Sequence, residues 1–157
     1  MKELASYFND HLAGSVGAME LLEHWAELHD SNPLGVFFSE IRAEIGADQN
    51  TLRNMMNSLG IEESNLRKAG AWAAEKAGRA RLMIAGDEPG SLGLVLTLEG
   101  LILGITRKKL LWHALDAAKP AQLNGYNFQE LFGRADEQIK RIEAERIRAV
   151  KEAFFSR

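Results

Sequence analysis

A carboxylate stands in the middle of an apolar helical stripe between residues 34 and 59. At about 100° per residue, Asp48 shares one face with the apolar residues of this segment, and Glu44 lies at the edge of that face. The apolar members are Leu34, Phe37, Phe38, Ile41, Ile45, Leu52, Met55, Met56 and Leu59. Burying a lone carboxylate costs several kcal/mol or more. We therefore expect Asp48 to be paired, hydrogen-bonded or bound to a metal ion.

Five residues form a candidate ligand set for iron, manganese or zinc: Glu20, Glu23, His24, Glu40 and Glu44. Glu20 and His24 are spaced i, i+4, and Glu40 and Glu44 lie at matching depth on the next helix, because the pairs 20/44 and 24/40 are both centred on residue 32. However, Glu20 and His24 project about 120° or more from the centre of their apolar stripe. This direction favours a solvated face or a subunit contact over a metal site. His11, His29 and His113 are interpreted as packed or capping histidines.

Two cations stand on inward stripes later in the chain, Lys109 and Arg146. Both fall near the middle of their helices, as Ser15, Glu44 and Asp48 do. These five residues are predicted to form a buried polar cluster in which Asp48, with Glu44, pairs with Lys109 or Arg146. The alternative is that the two cations reach outward to solvent and that Asp48 is solvated.

Composition narrows the classes of function. The net charge is −3, which gives no general attraction to nucleic acid or anionic membranes. The chain has no cysteine, so it has no thiolate ligand or thiol nucleophile. The apolar segment 92–105 contains Glu99 and is shorter than the roughly 20 residues needed to cross a bilayer. With no signal-peptide core in MKELASYFNDHLAG, we expect a cytoplasmic protein that binds neither nucleic acid nor membrane.

The apolar periodicity predicts an all-α protein with five long helices in a single domain, 1–157. The helices are expected at about 2–29, 34–59, 64–84, 91–118 and 126–155. Asp30, Ser31 and Asn32 are turn and N-cap residues, Pro33 suits the first helical position, and Gly60 is a C-cap. Short turns join the first to the second and the fourth to the fifth, which predicts two antiparallel hairpins. The segment 64–84 would be a helical crossover between them.

This plan resembles the ferritin-like superfamily. Local text is similar to that of small bacterial ferritin-like proteins of unassigned function: NDHLAGSVGAMELLEH, FFSEIRAEIGADQNTLRNMM, GITRKKLLWHAL and EQIKRIEAERIRAV. The resemblance implies a ferritin-like four-helix bundle and an association with stress. The di-iron members place Glu-x-x-His on two helices, and no Glu in this sequence has a His three residues later.

The sequence therefore favours a non-catalytic interaction module without a di-iron centre or other cofactor. The alternative is a metal-binding protein or metal-dependent enzyme, ferritin-like or DinB-like, with a non-standard ligand set. The H-x-x-x-H pair of the usual DinB-like histidine triad does not occur in this sequence.

Apolar residues outside the core stripes predict a homodimer. Leu92, Leu96, Leu103 and Leu110 form a second apolar face on the fourth predicted helix. The first helix has further apolar and aromatic residues outside its core stripe, and two phenylalanines lie in the last turn of the fifth. These residues are Tyr7, Leu21, Trp25, Leu28, Phe154 and Phe155. Such faces need cover by another helix or another subunit.

Overall fold

The computed structural model describes residues 2–65, 76, 78 and 84–156. Its regular structure consists of four long helices and one short 3₁₀ helix. The long helices are α1 (Lys2–Leu28), α2 (Pro33–Ser58), α3 (Leu92–Ala118) and α4 (Phe128–Phe155), and the 3₁₀ helix is Ala121–Leu123. No strand occurs among the described residues, which confirms the all-α class. The predicted helix over 64–84 lies almost wholly outside the described residues, so the fifth helix and the ferritin-like bundle stay predictions.

The chain divides into two compact units, each built on one helical hairpin. The first comprises Met1–Lys76 with Pro120–Gly125 and contains α1 and α2. The second comprises Ala77–Lys119 with Tyr126–Arg157 and contains α3 and α4. The two predicted antiparallel hairpins are therefore both present.

The turn of the first hairpin is fixed by its local sequence. The Asn32 side chain accepts a hydrogen bond from the Leu34 N–H (3.0 Å), and Pro33 takes the first helical position. Asn32 is thus the N-cap among the three predicted turn and cap residues, and the predicted position of Pro33 is confirmed. At Gly35, a Cβ atom would lie 2.0 Å from the carbonyl oxygen of His29. Only glycine allows α2 to begin so close to the end of α1.

The end of α2 is a Schellman motif. Gly60 has a φ of +66°, as its predicted capping role requires. The Gly60 N–H donates to Asn57 (3.1 Å), and the Ile61 N–H donates to the Met56 carbonyl (2.8 Å). Ile61 is buried, so an apolar contact accompanies the reversal of the chain.

Asn9 ties the segment after α2 back to α1. Its side-chain amide donates to the carbonyls of Ala5 (2.9 Å) and Glu62 (3.0 Å). Its Oδ1 accepts from the Ser64 N–H (2.7 Å). Asn9 is 6% exposed, so a single buried amide satisfies two backbone groups more than 50 positions away.

In the second hairpin, α3 and α4 pack along a regular row of buried side chains, here named the seam. Ser91 caps α3 by accepting from the Leu94 N–H (3.2 Å), and Asn127 caps α4 by accepting from the Glu130 N–H (3.2 Å). The seam alternates spacings of three and four residues, as in antiparallel coiled coils. Its apolar members include Leu94, Leu98, Leu101, Ile105, Trp112 and Leu115 on α3 and Phe128, Leu131, Ala135, Ile142 and Ala149 on α4.

Each hairpin buries one large indole. Trp25 is 1% exposed, with its ring stacked on His29 (centroids 5.4 Å apart) and tilted against Phe38 (5.5 Å). The prediction that Trp25 lies on an outer surface is therefore wrong. The tight turn at Gly35 brings Phe38 over the last turns of α1. In the second unit, Trp112 is 1% exposed.

Candidate interaction surface and polar groups

Asp48 is buried, as the apolar stripe predicts. It is 3% exposed, whereas Ser15 and Glu44 are half-buried. Beside them runs a chain of hydrogen bonds across the hairpin. Gln49 donates to the Ser15 hydroxyl (2.9 Å), and Ser15 donates to the Leu12 carbonyl (2.7 Å).

Arg53 extends this chain to the segment after α2. One guanidinium nitrogen donates to Gln49 (2.7 Å) and another to Glu63 (3.0 Å). Hydrogen bonds therefore connect the side chains of Ser15, Gln49, Arg53 and Glu63 in one network. Sequence reasoning missed Gln49 and Arg53, although their spacing on one side of α2 could have suggested a polar edge.

Lys109 and Arg146 each have a carboxylate partner within the second unit. The Lys109 ammonium donates to Asp136 (2.6 Å). Arg146 makes a two-pronged contact with Glu143 (2.6 and 2.7 Å) and lies 3.5 Å from Glu99. The predicted pairing of either cation with Asp48 stays a prediction.

The contact between Arg146 and Glu143 shifts the pKa values of both side chains. The hydrogen bond from Arg146 lowers the pKa of the Glu143 carboxyl. The same bond raises the pKa of the Arg146 guanidinium. Both groups are therefore charged over a wide range of pH.

The candidate metal ligands do not gather around a point. The Glu23 carboxylate accepts from Arg42 (3.0 Å) in a partly exposed ion pair. Glu40 is exposed, and Glu20, His24 and Glu44 are half-buried. Across the described part of the chain, no three His, Asp or Glu side chains come together in a way that could hold a metal ion.

The other histidines pack against rings. His11 and His29 are buried, against Tyr7 (centroids 4.7 Å apart) and Trp25 respectively. His113 is exposed and stacks on Phe132, with ring centroids 4.1 Å apart. These contacts are typical of packing histidines.

A row of exposed apolar side chains lies along α3. Leu92, Leu96, Leu103 and Leu110, here named the outer row, run along the side opposite the seam. Leu103 is 70% exposed and Leu110 is 60% exposed, whereas Leu98 on the seam is fully buried. Leu92 is 45% exposed and Leu96 is half-buried. The second apolar face predicted from sequence thus lies open to solvent.

Two glycines adjoin the outer row. Gly100 and Gly104 are exposed, and a Cβ atom built at either position would have no neighbour within 4 Å. Another backbone can approach α3 closely at these points. No helix in the described segments is long and apolar enough to cross a membrane.

Comparison with known protein families, with curated proteins and with solved structures finds no match for the chain.

Proposed function

We propose that the protein is a non-catalytic helical module that acts by associating with protein chains, in the first place as a homodimer, through the outer row of α3. The single observation behind this proposal is the exposure of Leu103 and Leu110 on one helix face. Exposed apolar side chains in a contiguous row are typical of protein interfaces. Scattered single residues would need no such explanation.

The pattern of the row supports a helix as its partner. Leu96, Leu103 and Leu110 are spaced by seven residues, the repeat that keeps one apolar line facing a second helix. Glu99 and Arg107 flank this line. An apolar centre with charged residues at its edge has the layout of a protein interface.

We further propose that the two hairpins associate as a ferritin-like four-helix bundle, with residues 64–84 as its crossover, in a single domain in the bacterial cytoplasm. Support for the bundle comes from the two antiparallel hairpins and the resemblance of their sequences. The link to stress rests on the resemblance alone. Distances between spin labels on α1 and α3 test the bundle, because adjacent bundle helices lie about 8–10 Å apart. A broad distribution of long distances would contradict it.

The mass of the protein in solution tests the association. Size-exclusion chromatography with light scattering should give a dimer at micromolar concentration. The L103E variant should be a monomer with unchanged helical content, because a carboxylate cannot be buried at an apolar contact without a partner. V36E is the matched control, since Val36 is a 55% exposed aliphatic residue on α2, outside the row. A monomeric parent, or an L103E dimer of unchanged affinity, would overturn the proposal.

Elemental analysis tests the non-catalytic assignment. Protein purified without chelator should contain iron, manganese and zinc only far below one ion per chain. Near-stoichiometric metal would instead favour a ligand set drawn from Glu20, Glu23, His24, Glu40 and Glu44. The E40Q/E44Q variant would then be expected to lose that metal.

A further inference from the structure

The outer face of α3 has a sequence that is symmetric about Leu103. Leu96 and Leu110 stand seven residues before and after it, and Glu99 and Arg107 stand four before and four after. Reversing the helix about Leu103 therefore places each leucine level with a leucine, and Glu99 level with Arg107. This is the pattern that a two-fold antiparallel contact between identical helices requires.

The two charged residues are available for such a contact. The Glu99 side chain is 47% exposed and touches the Arg146 guanidinium only at 3.5 Å. Arg107 is exposed and makes no ion pair with any described residue. Each can therefore accept a partner without breaking a strong contact within its own chain.

We propose that two copies of this chain pair their α3 helices antiparallel, about a two-fold axis at Leu103. This inference rests on the proposed function and specifies its geometry. Glu99 of each copy then lies level with Arg107 of the other, and Leu96 lies level with Leu110. In a parallel pairing Glu99 would face Glu99 and Arg107 would face Arg107, and like charges so placed repel.

The neighbouring glycines suit this geometry. Gly100 and Gly104 lie on either side of the two-fold axis and leave open space where side chains would otherwise hold the helices apart. The leucines therefore set the separation of the two α3 helices, within the usual 8–10 Å interaxial range. At that separation Glu99 of one copy stands level with Arg107 of the other, within reach of these long side chains.

Cysteine crosslinking tests the register directly, because the chain contains no cysteine. The L103C variant should form a disulfide-linked dimer under mild oxidation, since the axis brings its two thiols together. The L110C variant should not, because antiparallel copies of position 110 are about 21 Å apart along the helix axis. The L96C/L110C double variant should crosslink again. V36C serves as the control for random collision.

Charge reversal tests the pairing of Glu99 with Arg107. E99R alone and R107E alone should each weaken the dimer by about tenfold or more, since each turns two symmetry-related attractions into repulsions. The E99R/R107E double variant should recover affinity close to that of the parent. E137R, on exposed Glu137 of α4, is the control and should leave the dimer unchanged.

The outcomes separate this inference from the proposed function. Efficient crosslinking of L110C, or failure of E99R/R107E to recover affinity, would overturn the antiparallel register while a dimer sensitive to L103E still supports association through α3. A monomeric parent with no crosslinking above the V36C level would overturn both. Crosslinking of L103C and L96C/L110C only, with recovery in the double reversal, establishes the register.

Discussion

Replacing Asn9 with alanine should release the segment after α2 from the first helix. The buried side chain makes three hydrogen bonds, and two of them reach Glu62 and Ser64. Each long-range bond is worth about 1 kcal/mol net, and the backbone groups left without partners add to the loss. Alanine recovers roughly 0.5 kcal/mol through its higher helix propensity. The expected loss is therefore about 2 kcal/mol in the free energy of unfolding.

Urea denaturation followed by circular dichroism measures this loss in the transition that contains the first unit. A loss of that size should lower the melting temperature by about 4–8 °C in a chain of this length. Amide hydrogen exchange gives a local readout, because the Ser64 N–H should lose protection in N9A. N54A is the control, since Asn54 is exposed on α2.

An N9A variant whose stability lies within about 0.5 kcal/mol of the parent would contradict this expectation. Unchanged protection of the Ser64 amide would refute it as well. N9D offers a further comparison. It keeps an acceptor for Ser64 but places a carboxylate against the Glu62 carbonyl, so it should be at least as unstable as N9A.

Three other substitutions test separate contacts. D48A should cost about 3 kcal/mol or more by urea denaturation if the buried carboxylate has a cationic partner, and a change in melting temperature of only a degree or two would contradict that pairing. K119G should stabilise the chain by about 1 kcal/mol in thermal unfolding, because Lys119 has a φ of +46°; K119A should bring no such gain. E143Q should melt below the parent near neutral pH. Since folding lowers the pKa of Glu143, its contribution is present above the unfolded pKa and is lost as pH falls through the lower folded pKa. The difference between E143Q and the parent should therefore narrow as the pH falls below about 4.3, the ordinary value for Glu, and a difference that does not narrow in acid would argue against an ionic origin.

The ends of the helices could be predicted because the signals act within a few residues. The Asn32 side chain accepts a hydrogen bond from a free N–H at the start of α2, and Pro33 occupies the first helical position. Gly60 ends the same helix because it adopts a positive φ. The short turns also predicted the two helical hairpins, α1 with α2 and α3 with α4. The outer row on α3 could be predicted because this helix has more leucines than a single seam can bury.

Side-chain partners could not be predicted in the same way. A 3.6-residue period puts Gln138 at the flank of its helix, yet its side chain is 1% exposed and accepts a hydrogen bond from Lys108 (2.7 Å). The seam follows a 3.5-residue repeat, which shifts the buried face by about 20° for every seven residues. Lys109 and Arg146 stand near the seam, but their length lets them reach carboxylates at its edge.

The two buried indoles give each hairpin its own optical signal. The Trp112 side chain is 1% exposed, and its ring N–H has no hydrogen-bond partner among the described residues. An indole in such surroundings emits at shorter wavelength than one in water. Trp25 stacks on His29, whose imidazolium form is a quencher of tryptophan emission. With Trp72 replaced by phenylalanine, emission spectra could follow the two hairpins separately in one sample.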